Sequence, residues 1–201
     1  VTIRAARVSD AQAVAQLVYS AAVRDNDYVF ATKAKGAIDF FQYAFEQKLG
    51  IWSYSFVKVY EIETQVVATI STYPQSALVR VMLSGLKAMI SFYGIWAGFG
   101  VILRSIRIGL RFSPIPKHSA YIFNVATHEG FRGRGLSPQL YESVHKQWMK
   151  DGVMRATVDV ETDNHPSIRV LEKMGYENHS LKTPGKSVTM YRFYKNLSVE
   201  K

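Results

Sequence analysis

The residues that point most clearly to a chemical function form a glycine-rich turn, Arg132-Gly133-Arg134-Gly135-Leu136-Ser137. The run Val125-Ala126-Thr127 before the turn predicts the end of a strand, and the residues after it predict a helix. Backbone N–H groups in such a turn point into one concavity, and the start of the helix adds partial positive charge. Gly133 and Gly135 carry no Cβ atom, so a phosphate can approach closely and unusual φ angles cost little. The turn therefore predicts a site for a phosphate-bearing ligand.

The turn alone does not separate a phosphate site from a purely structural turn. It lacks the Gly-Lys-Ser/Thr ending of a nucleotide-binding P-loop and the third glycine of a dinucleotide fingerprint. Ser137 is predicted to be the N-cap of the following helix. Pro138 suits the first helical position, because its missing N–H would be unpaired there anyway. A structural role and a binding role both stay open at this point.

A second stretch, from Asn164 to Tyr176, gives the turn a context. Together the two stretches resemble the GNAT family of N-acetyltransferases. In that family a Gln/Arg-x-x-Gly-x-Gly/Ala turn binds the pyrophosphate of coenzyme A, and an Asn-x-x-Ala-x-x-x-Tyr-x-x-x-Gly-Phe segment follows it. The positions that match these patterns are Arg132, Gly135, Ser137, Asn164, Ser167, Gly175 and Tyr176. The resemblance covers the chain except for residues 75–117.

The resemblance implies an acyl-CoA-dependent N-acyltransferase, with acetyl-CoA or another acyl-CoA as cosubstrate and no metal. It implies an α+β (mixed α/β) fold, in which helices flank a mostly antiparallel mixed sheet of about seven strands. Residues 1–201 would form a single acetyltransferase domain, with a helical insertion at 75–117 between the third and fourth strands. Coenzyme A is expected to contact Val125, Ala126, Thr127, Arg132, Gly133, Arg134, Gly135, Leu136, Ser137, Asn164 and Ser167.

The resemblance also implies a mechanism in which an acceptor amine attacks the thioester directly in a ternary complex. The strand from Tyr121 to Thr127 would splay from the strand from Ala156 to Glu161, leaving unpaired backbone groups for the pantetheine arm. A backbone N–H near Val125 or Ala126 would polarise the thioester carbonyl. Leu171 occupies the position at which many relatives carry a tyrosine that protonates the departing thiolate, so the general acid is left unassigned.

The general base is also left unassigned, and Asn124, Tyr121 and Glu161 are the first candidates for the catalytic roles. Asn124 and Tyr121 lie on the strand before the turn but are poor bases. Glu161 shares one face of its strand with Asp159, because residues two apart point the same way. His118 is predicted to lie at the mouth of the cleft. For each of these side chains, an ordinary structural or solvated role is the alternative.

The predicted elements that position these residues are strands and helices intermixed along the chain. Strands are predicted at 1–6, 55–62, 66–73, 118–127, 156–161, 176–180 and 188–194, and helices at 11–23, 37–49, 137–150 and 166–174. The polar stretch 24–27 is predicted to be a bend, and 183–186 a turn between the last two strands. Strands and helices that intermix in this order favour a mixed sheet with helices on its faces.

Residues 75–117 interrupt this order and carry much of the positive charge. The formal net charge is +9, and between Gln75 and His118 the chain has six cations and no acidic residue. The uncharged run 88–103 contains three glycines and is shorter than the roughly 20 apolar residues of a membrane-spanning helix. Two helices folded over the core with their apolar faces inward are therefore predicted, without stable membrane insertion. A dimer face, a lid over the acceptor pocket and an amphipathic membrane contact stay open as roles.

Composition restricts the remaining alternatives. The chain contains no cysteine, which excludes disulfides, thiolate zinc sites and a cysteine nucleophile. Its five histidines show no metal-ligand spacing. The N-terminus shows no signal-peptide pattern, so a cytoplasmic location is expected.

Two other function classes compete with the acyltransferase. One is a non-enzymatic acyl-CoA-binding or sensing module, suggested by Leu171 and the unassigned base. The other is a basic nucleic-acid or anionic-membrane binder that uses residues 75–117. The uncharged centre of that segment suits burial better than a DNA groove, so no nucleic-acid partner is expected. The acceptor is expected to be a small-molecule or peptide amine, and an adjacent carboxylate or phosphate would suit the cations of the segment. A homodimer stays open.

Overall fold

The computed structural model describes residues 1–112, 114–180 and 190–197, and within them seven strands form one sheet with helices on both faces. The strands β1 to β7 are, in chain order, Thr2–Ala5, Val57–Ile62, Gln65–Pro74, Ser119–Thr127, Arg155–Glu161, Glu177–Asn178 and Met190–Asn196. The helices α1 to α7 are Ala11–Ser20, Val23–Phe30, Ala37–Glu46, Leu78–Tyr93, Ile95–Gly109, Leu136–Lys150 and His165–Lys173.

The strands lie in the order β1-β2-β3-β4-β5-β7-β6. Every neighbouring pair is antiparallel except β4 and β5, which run parallel. The segment that separates β3 from β4 contains α4 and α5. This confirms the predicted mixed, mostly antiparallel sheet with a helical insertion between its third and fourth strands. The single-domain division stays a prediction.

The first predicted helix is wrong at its C-terminal end. The sequence predicts one helix over 11–23 and a polar bend at 24–27, whereas α1 ends at Ser20 and residues 24–27 lie inside α2. Ala22, between the two helices, has φ −154° and ψ 60° and is not helical. The polar residues of α2 are at least partly exposed, and only its last two residues are buried. A short, mostly polar surface helix therefore resembles a loop in sequence.

Of the two C-terminal strands, β6 is shorter than predicted, and β7 ends at Asn196 rather than at residue 194. β6 contains only Glu177–Asn178 of the predicted 176–180. The predicted turn at 183–186 lies outside the described residues. β7 pairs with β5 from Met190 to Asn196, so β5 holds the last strand along its length.

One core cluster fills the face of the sheet that α1 and α3 cover. The ring of Phe40 stacks on Phe30 at 4.8 Å, and Trp52 meets Phe40 edge-on at 5.0 Å. Aromatic pairs at such distances add about 0.5–1.5 kcal/mol each to their burial. Ala88 of α4 and Val101 of α5 are fully buried in the same cluster. The inner faces of both insertion helices therefore hold them on the core, as predicted.

The outward faces of α4 and α5 depart from the prediction. The apolar faces were expected to turn inward, yet both helices also expose large apolar side chains to solvent. Among the described residues one helical segment, Gln75–Tyr93, is long and apolar enough to cross a membrane by length and composition, and only 28% of it is buried. Because these helices are apolar on more than one side, the core can cover only part of that surface.

A second core cluster lies on the other face of the sheet, under α6. His145 of α6 is only 6% exposed, and its Nε2 atom lies 2.7 Å from the hydroxyl oxygen of Tyr176. Burial, together with the charge of Lys195, lowers the pKa of His145 to about 4. This histidine is therefore neutral at pH 7 and belongs to the core.

Gly98 tests how closely α4 and α5 pack. A Cβ atom there would lie 3.0 Å from the Cα of Ile90 and from the carbonyl oxygen of Met89, whereas one at Gly100 would meet only the Arg104 side chain at 3.7 Å. We expect Gly98→Ala to lower the free energy of unfolding by about 1–3 kcal/mol, since backbone atoms must move. Gly100→Ala should raise it by about 0.5–1 kcal/mol, because alanine favours a helix. Urea unfolding measures both variants, and equal effects would contradict the close packing.

Burial of His145 predicts that stability depends on pH. Its pKa is about 4 in the folded protein and about 6.5 in an unfolded chain, so the unfolded state binds more protons between these values. The free energy of unfolding therefore falls as the pH falls through this window, by roughly 2–3 kcal/mol for this residue. His145→Gln should lose that part of the dependence in urea unfolding at about pH 7 and pH 4.5. Parallel pH dependences for variant and wild type would show that His145 titrates normally.

Candidate active site

The glycine-rich turn lies between the end of β4 and the start of α6, as predicted. A short 3-10 turn, Glu129–Phe131, follows β4, and the exposed residues 132–135 lead into the helix. Gly133 and Gly135 have φ values of 76° and 73°, in the left-handed region that favours glycine. A Cβ atom at either position would meet no atom within 4 Å, so the space around both glycines is open.

The helix start differs from the prediction in its capping residue. Gly135 is the N-cap and α6 begins at Leu136, so Ser137 and Pro138 are the second and third helical residues. The left-handed backbone of Gly135 turns the chain into the helix before the expected cap is reached. The Ser137 hydroxyl instead lies 3.3 Å from that of Thr127 and links the helix to the end of β4.

This capping leaves a row of backbone donors unused. No atom of the described chain accepts a hydrogen bond from the N–H groups of Gly133, Arg134, Gly135 or Leu136. A glycine cap has no side-chain oxygen for the first helical N–H groups, and the helix dipole gives this end partial positive charge. The turn therefore presents exposed donors and positive potential to an anion.

Two arginines flank the turn and are held by backbone carbonyls. Arg132 donates through Nε to the carbonyl of Thr127 at 3.2 Å, and Arg134 donates through Nη2 to that of Gly130 at 3.1 Å. The Arg134 guanidinium also lies 4.9 Å from the ring centre of Phe131. Neither arginine forms an ion pair with a described acidic side chain. Both positive charges are therefore available to a ligand at the turn.

β4 and β5 separate beside the turn, as predicted. Their parallel pairing ends at Ile122 and Val158, although β4 continues to Thr127 and β5 to Glu161. The edge of β4 that faces β5 is thus open over residues 123–127. An open strand edge binds extended ligands through main-chain hydrogen bonds.

Alternation along β4 shows which peptide groups face this opening. The N–H of His128, directly after β4, donates to the carbonyl of Val67 in β3 at 2.8 Å. The N–H and C=O groups of one strand residue point to the same side, and those of the next residue point to the opposite side. The N–H and C=O groups of Thr127 and Val125 therefore point away from β3 and toward the gap beside β5. The peptide group of Ala126, at the alternate position, points toward β3.

A β-bulge in β4 turns Asn124 toward α1. Phe123 is the extra residue between the pairs that Ile122 and Asn124 make with β3. Bulges often re-aim side chains next to active sites. The Asn124 amide nitrogen lies 3.5 Å from the carbonyl oxygen of Val18, and its Oδ1 atom is buried with no hydrogen-bond partner in the described chain. Because a buried unpaired acceptor costs free energy, this atom is a candidate ligand contact.

Tyr121 belongs to a buried network around an ion pair. Its hydroxyl donates to Oδ2 of Asp159 at 3.0 Å, and Arg192 of β7 binds both carboxylate oxygens at 2.7 and 2.5 Å. Burial and the charge of Asp159 raise the pKa of Tyr121 well above its usual value. Tyr121 is therefore a protonated donor rather than a base. No motif marks Arg192, because only the strand register brings it beside Asp159.

Glu161 lies at the open end of β5 and faces a cation from the insertion. Arg111, just after α5, lies 3.6 Å from Glu161 and donates to Asp25 of α2 at 2.6 Å. The Nε atom of Arg111 is buried with no partner in the described chain. Neither Arg111 nor Asp25 was predicted to be a site residue from the sequence. Their only signal was the run of cations without acids, which needs acidic partners elsewhere in the fold.

The second predicted motif starts α7. The Oδ1 atom of Asn164 accepts a hydrogen bond from the N–H of Ser167 at 3.2 Å, so Asn164 is the N-cap of α7. Because β4 and β5 are parallel, this helix start lies at the same end of the sheet as the glycine-rich turn. Leu171 is almost fully buried in the second core cluster. Its position therefore contributes packing and no proton donor.

His118 does not lie at the mouth of the cleft, contrary to the prediction. It is exposed, has φ 57°, and directly precedes β4 at the end where β4 and β5 are still paired. The cleft opens at the opposite end of these strands. His128 accepts a hydrogen bond from the N–H of Gly130 at 3.3 Å and caps a surface turn. Among the described residues, no group of three or more His, Cys, Asp or Glu could hold a metal ion.

Solved acetyltransferase structures share this fold at low sequence identity. An N-acetyltransferase from Staphylococcus aureus Mu50 is 19% identical, with a TM-score of 0.67 over 97% of this chain and 100% of that one. The ribosomal-protein-S18-alanine N-acetyltransferase from Escherichia coli is 13% identical, with a TM-score of 0.56 over 100% of this chain and 96% of that one. A mutant agmatine N-acetyltransferase is 15% identical, with a TM-score of 0.57 over 98% of this chain and 99% of that one.

The amino-acid sequence also matches a protein family. No curated protein matches the chain. The model of the acetyltransferase (GNAT) family, however, matches residues 19–176. That range includes the glycine-rich turn, the separated strands and the capped start of α7. The chain therefore belongs to the GNAT acetyltransferase family and is an N-acetyltransferase.

Proposed function

We propose that the protein transfers the acetyl group of acetyl-CoA to a primary amine by direct attack in a ternary complex. The observation that carries this proposal is the row of unused N–H donors from Gly133 to Leu136, beside the open edge of β4. A pyrophosphate suits clustered donors with positive charge, and an extended acyl-pantetheine arm suits a free strand edge. The two features meet at one junction, which fits a ligand that contains both groups.

The phosphates of coenzyme A would bind at the glycine-rich turn. The N–H groups from Gly133 to Leu136 would donate to the pyrophosphate, with Ser137 beside them, and Arg132 and Arg134 would add charge. The open space around both glycines supports this placement, because phosphate oxygens can reach the backbone there. Asn164 and Ser167, at the start of α7, would border the cofactor at the same end of the sheet.

The thioester would lie in the gap between β4 and β5. The pantetheine arm would pair with the free edge formed by Val125, Ala126 and Thr127. The N–H of Val125 points into this gap, so it is the candidate donor to the thioester carbonyl. A preorganised donor of this kind stabilises the transition state by about 2.7–4 kcal/mol. Holding both reactants at one strand edge lowers the entropic part of the barrier as well.

The acceptor amine would approach from the side of α1 and α2. The unpaired Oδ1 atom of Asn124 can accept a hydrogen bond from the amine and direct its lone pair at the thioester. Glu161, with 42% of its side chain exposed, is the candidate base that takes the amine proton, directly or through water. Tyr121 acts as a positioning residue, because its hydroxyl is committed to Asp159.

Thiolate departure would need no acid from the protein. Leu171 is buried where many relatives carry the acidic tyrosine. A thiol has a pKa of about 8.5, so its thiolate is a fair leaving group that solvent can protonate.

The acceptor would be a small-molecule or peptide amine that enters beside Asp25 and Glu161. The sequence favours an acceptor with a carboxylate or phosphate, on the grounds of the cations of the insertion. Arg111, however, already pairs with Asp25. The carboxylates of Asp25 and Glu161 therefore favour the acceptor's amine at this entrance over an acidic group of the acceptor.

A cytoplasmic location agrees with the absence of cysteine. The homodimer stays a prediction.

Gly135→Glu tests the cofactor site. A left-handed position costs a non-glycine residue about 1–2 kcal/mol, and the added carboxylate would repel the pyrophosphate. We expect acetyl-CoA to raise the melting temperature of the wild type but not that of Gly135→Glu. Gly152→Glu is the matched control, because Gly152 has φ 74° and open space at the other end of α6. A normal acetyl-CoA shift in Gly135→Glu would contradict the proposed site.

Glu161→Gln tests the proposed base. The amide cannot take the proton, so kcat/KM for the amine should fall by about 10²–10⁴-fold while acetyl-CoA still raises the melting temperature. Release of free thiol with a panel of amines measures the rate. Glu172→Gln, an exposed substitution on α7, should leave the rate unchanged. A loss smaller than about threefold in Glu161→Gln would remove Glu161 from this role.

A further inference from the structure

The insertion helices carry most of the large exposed apolar side chains. Fifteen large hydrophobic residues of the described chain are exposed, and ten of them lie on α4, on α5 or directly after α5. These ten residues, called here the outer face, are Val79, Met82, Leu83, Leu86, Ile95, Trp96, Phe99, Leu103, Ile106 and Leu110. Single exposed apolar residues are ordinary, but a large exposed patch marks an interaction site.

Helical spacing arranges the outer face into a stripe on each helix. Along α5, intervals of three or four positions align Ile95, Phe99, Leu103, Ile106 and Leu110. Along α4, the same intervals align Val79, Leu83 and Leu86. Buried positions such as Ala88 and Val101 occupy the sides that face the core. The core covers the inner apolar side of each helix, but no described part of the chain covers the outer stripes, so these stripes call for another partner.

Unpaired cations border the apolar stripes. Arg80, Lys87 and Arg107 are exposed, and none forms an ion pair with a described acidic side chain. Arg80 and Lys87 lie seven positions apart and therefore on one side of α4. Between Gln75 and His118 the chain has no acidic residue. The outer face therefore combines apolar surface with uncompensated positive charge.

This charge decides between two occupants, a second copy of the chain and an anionic bilayer. A two-fold contact would place the outer face of one copy on the same face of the other. Three cations would then approach three identical cations, with no acid from either insertion to pair with them, and such like-charge contacts cost free energy. An anionic bilayer offers acyl chains to the stripes and phosphate headgroups to the cations.

We propose that the outer face of α4 and α5 binds the surface of an anionic lipid bilayer. Binding is peripheral, because the inner faces of both helices are packed on the core through residues such as Val81, Ala88 and Val101. Neither helix can span the membrane without exposing that core. The apolar side chains lie at the boundary between headgroups and acyl chains, with the cations among the phosphates.

The fluorescence of Trp96 can report on this membrane contact without an added label. The chain has three tryptophans, of which Trp96 is 92% exposed, Trp52 9% and Trp148 6%. Tryptophan emission moves to shorter wavelength when an exposed indole enters apolar surroundings. A blue shift on addition of vesicles is therefore assigned to the outer face, and Trp96→Phe should abolish the shift while vesicle binding persists.

The test compares vesicles of phosphatidylcholine with vesicles that also contain phosphatidylglycerol. We expect the protein to float with the anionic vesicles at low salt, with the blue shift, and to dissociate at high salt. The triple variant Arg80→Gln, Lys87→Gln, Arg107→Gln should lower the partition coefficient about 100-fold, since each surface cation contributes roughly fivefold. Phe99→Asp combined with Leu103→Asp should abolish binding while circular dichroism retains the wild-type helix content.

Matched controls lie outside the insertion. Met154→Asp changes an exposed methionine, and the triple variant Lys33→Gln, Lys146→Gln, Lys173→Gln removes three exposed cations. Absence of binding to either vesicle at low salt overturns the proposal, as does an equal loss in the controls. A dimer that Phe99→Asp with Leu103→Asp dissociates, in a protein that ignores vesicles, assigns the face to a second copy instead. Coenzyme A takes no part in these measurements, so the proposed acetyl transfer is tested separately.

Discussion

The separation of β4 from β5 is the constraint on which the candidate active site depends. Two parallel strands that stayed paired would satisfy each other's peptide groups and leave no edge for a ligand. β4 stays with β3 as far as Thr127, while β5 stays with β7 as far as Glu161, so each strand follows its other neighbour after the last shared pair. Asp159 follows that pair, and its buried contacts with Tyr121 and Arg192 fasten three strands where the gap begins.

The insertion joins this gap to a separate surface of the protein. Leu110 belongs to the outer face and is 81% exposed, while the next residue, Arg111, pairs with Asp25 and lies near Glu161. Two consecutive residues therefore connect the proposed membrane contact with the proposed acceptor site. If a bilayer bound Leu110, it would restrict the position of Arg111, and the proposed acceptor site would open close to the membrane surface.

The sequence predicts local features of this protein better than contacts between distant segments. The glycine-rich turn, the order of most elements along the chain and the separation of β4 from β5 follow from local patterns and a family resemblance, and the structure agrees. The predicted N-cap of α6, Ser137, was wrong. Gly135 can adopt a left-handed φ and is itself the N-cap, so the helix begins one residue before Ser137. Arg192 and Arg111 could not be found in the same way. Their partners are set by strand register and by the path of the insertion, which no local spacing records.

The same limit explains why periodicity misled the prediction for α4 and α5. Apolar spacing shows that a helix side avoids water, but it does not show what covers that side. Each large apolar side chain contributes about 1.5–3 kcal/mol on full burial, so ten exposed ones would drive self-association unless something opposed it. Arg80, Lys87 and Arg107 would oppose it, because they would repel the same face of another copy. The charges that would repel a second copy are the same ones that an anionic surface would neutralise, so they favour the proposed bilayer contact over self-association.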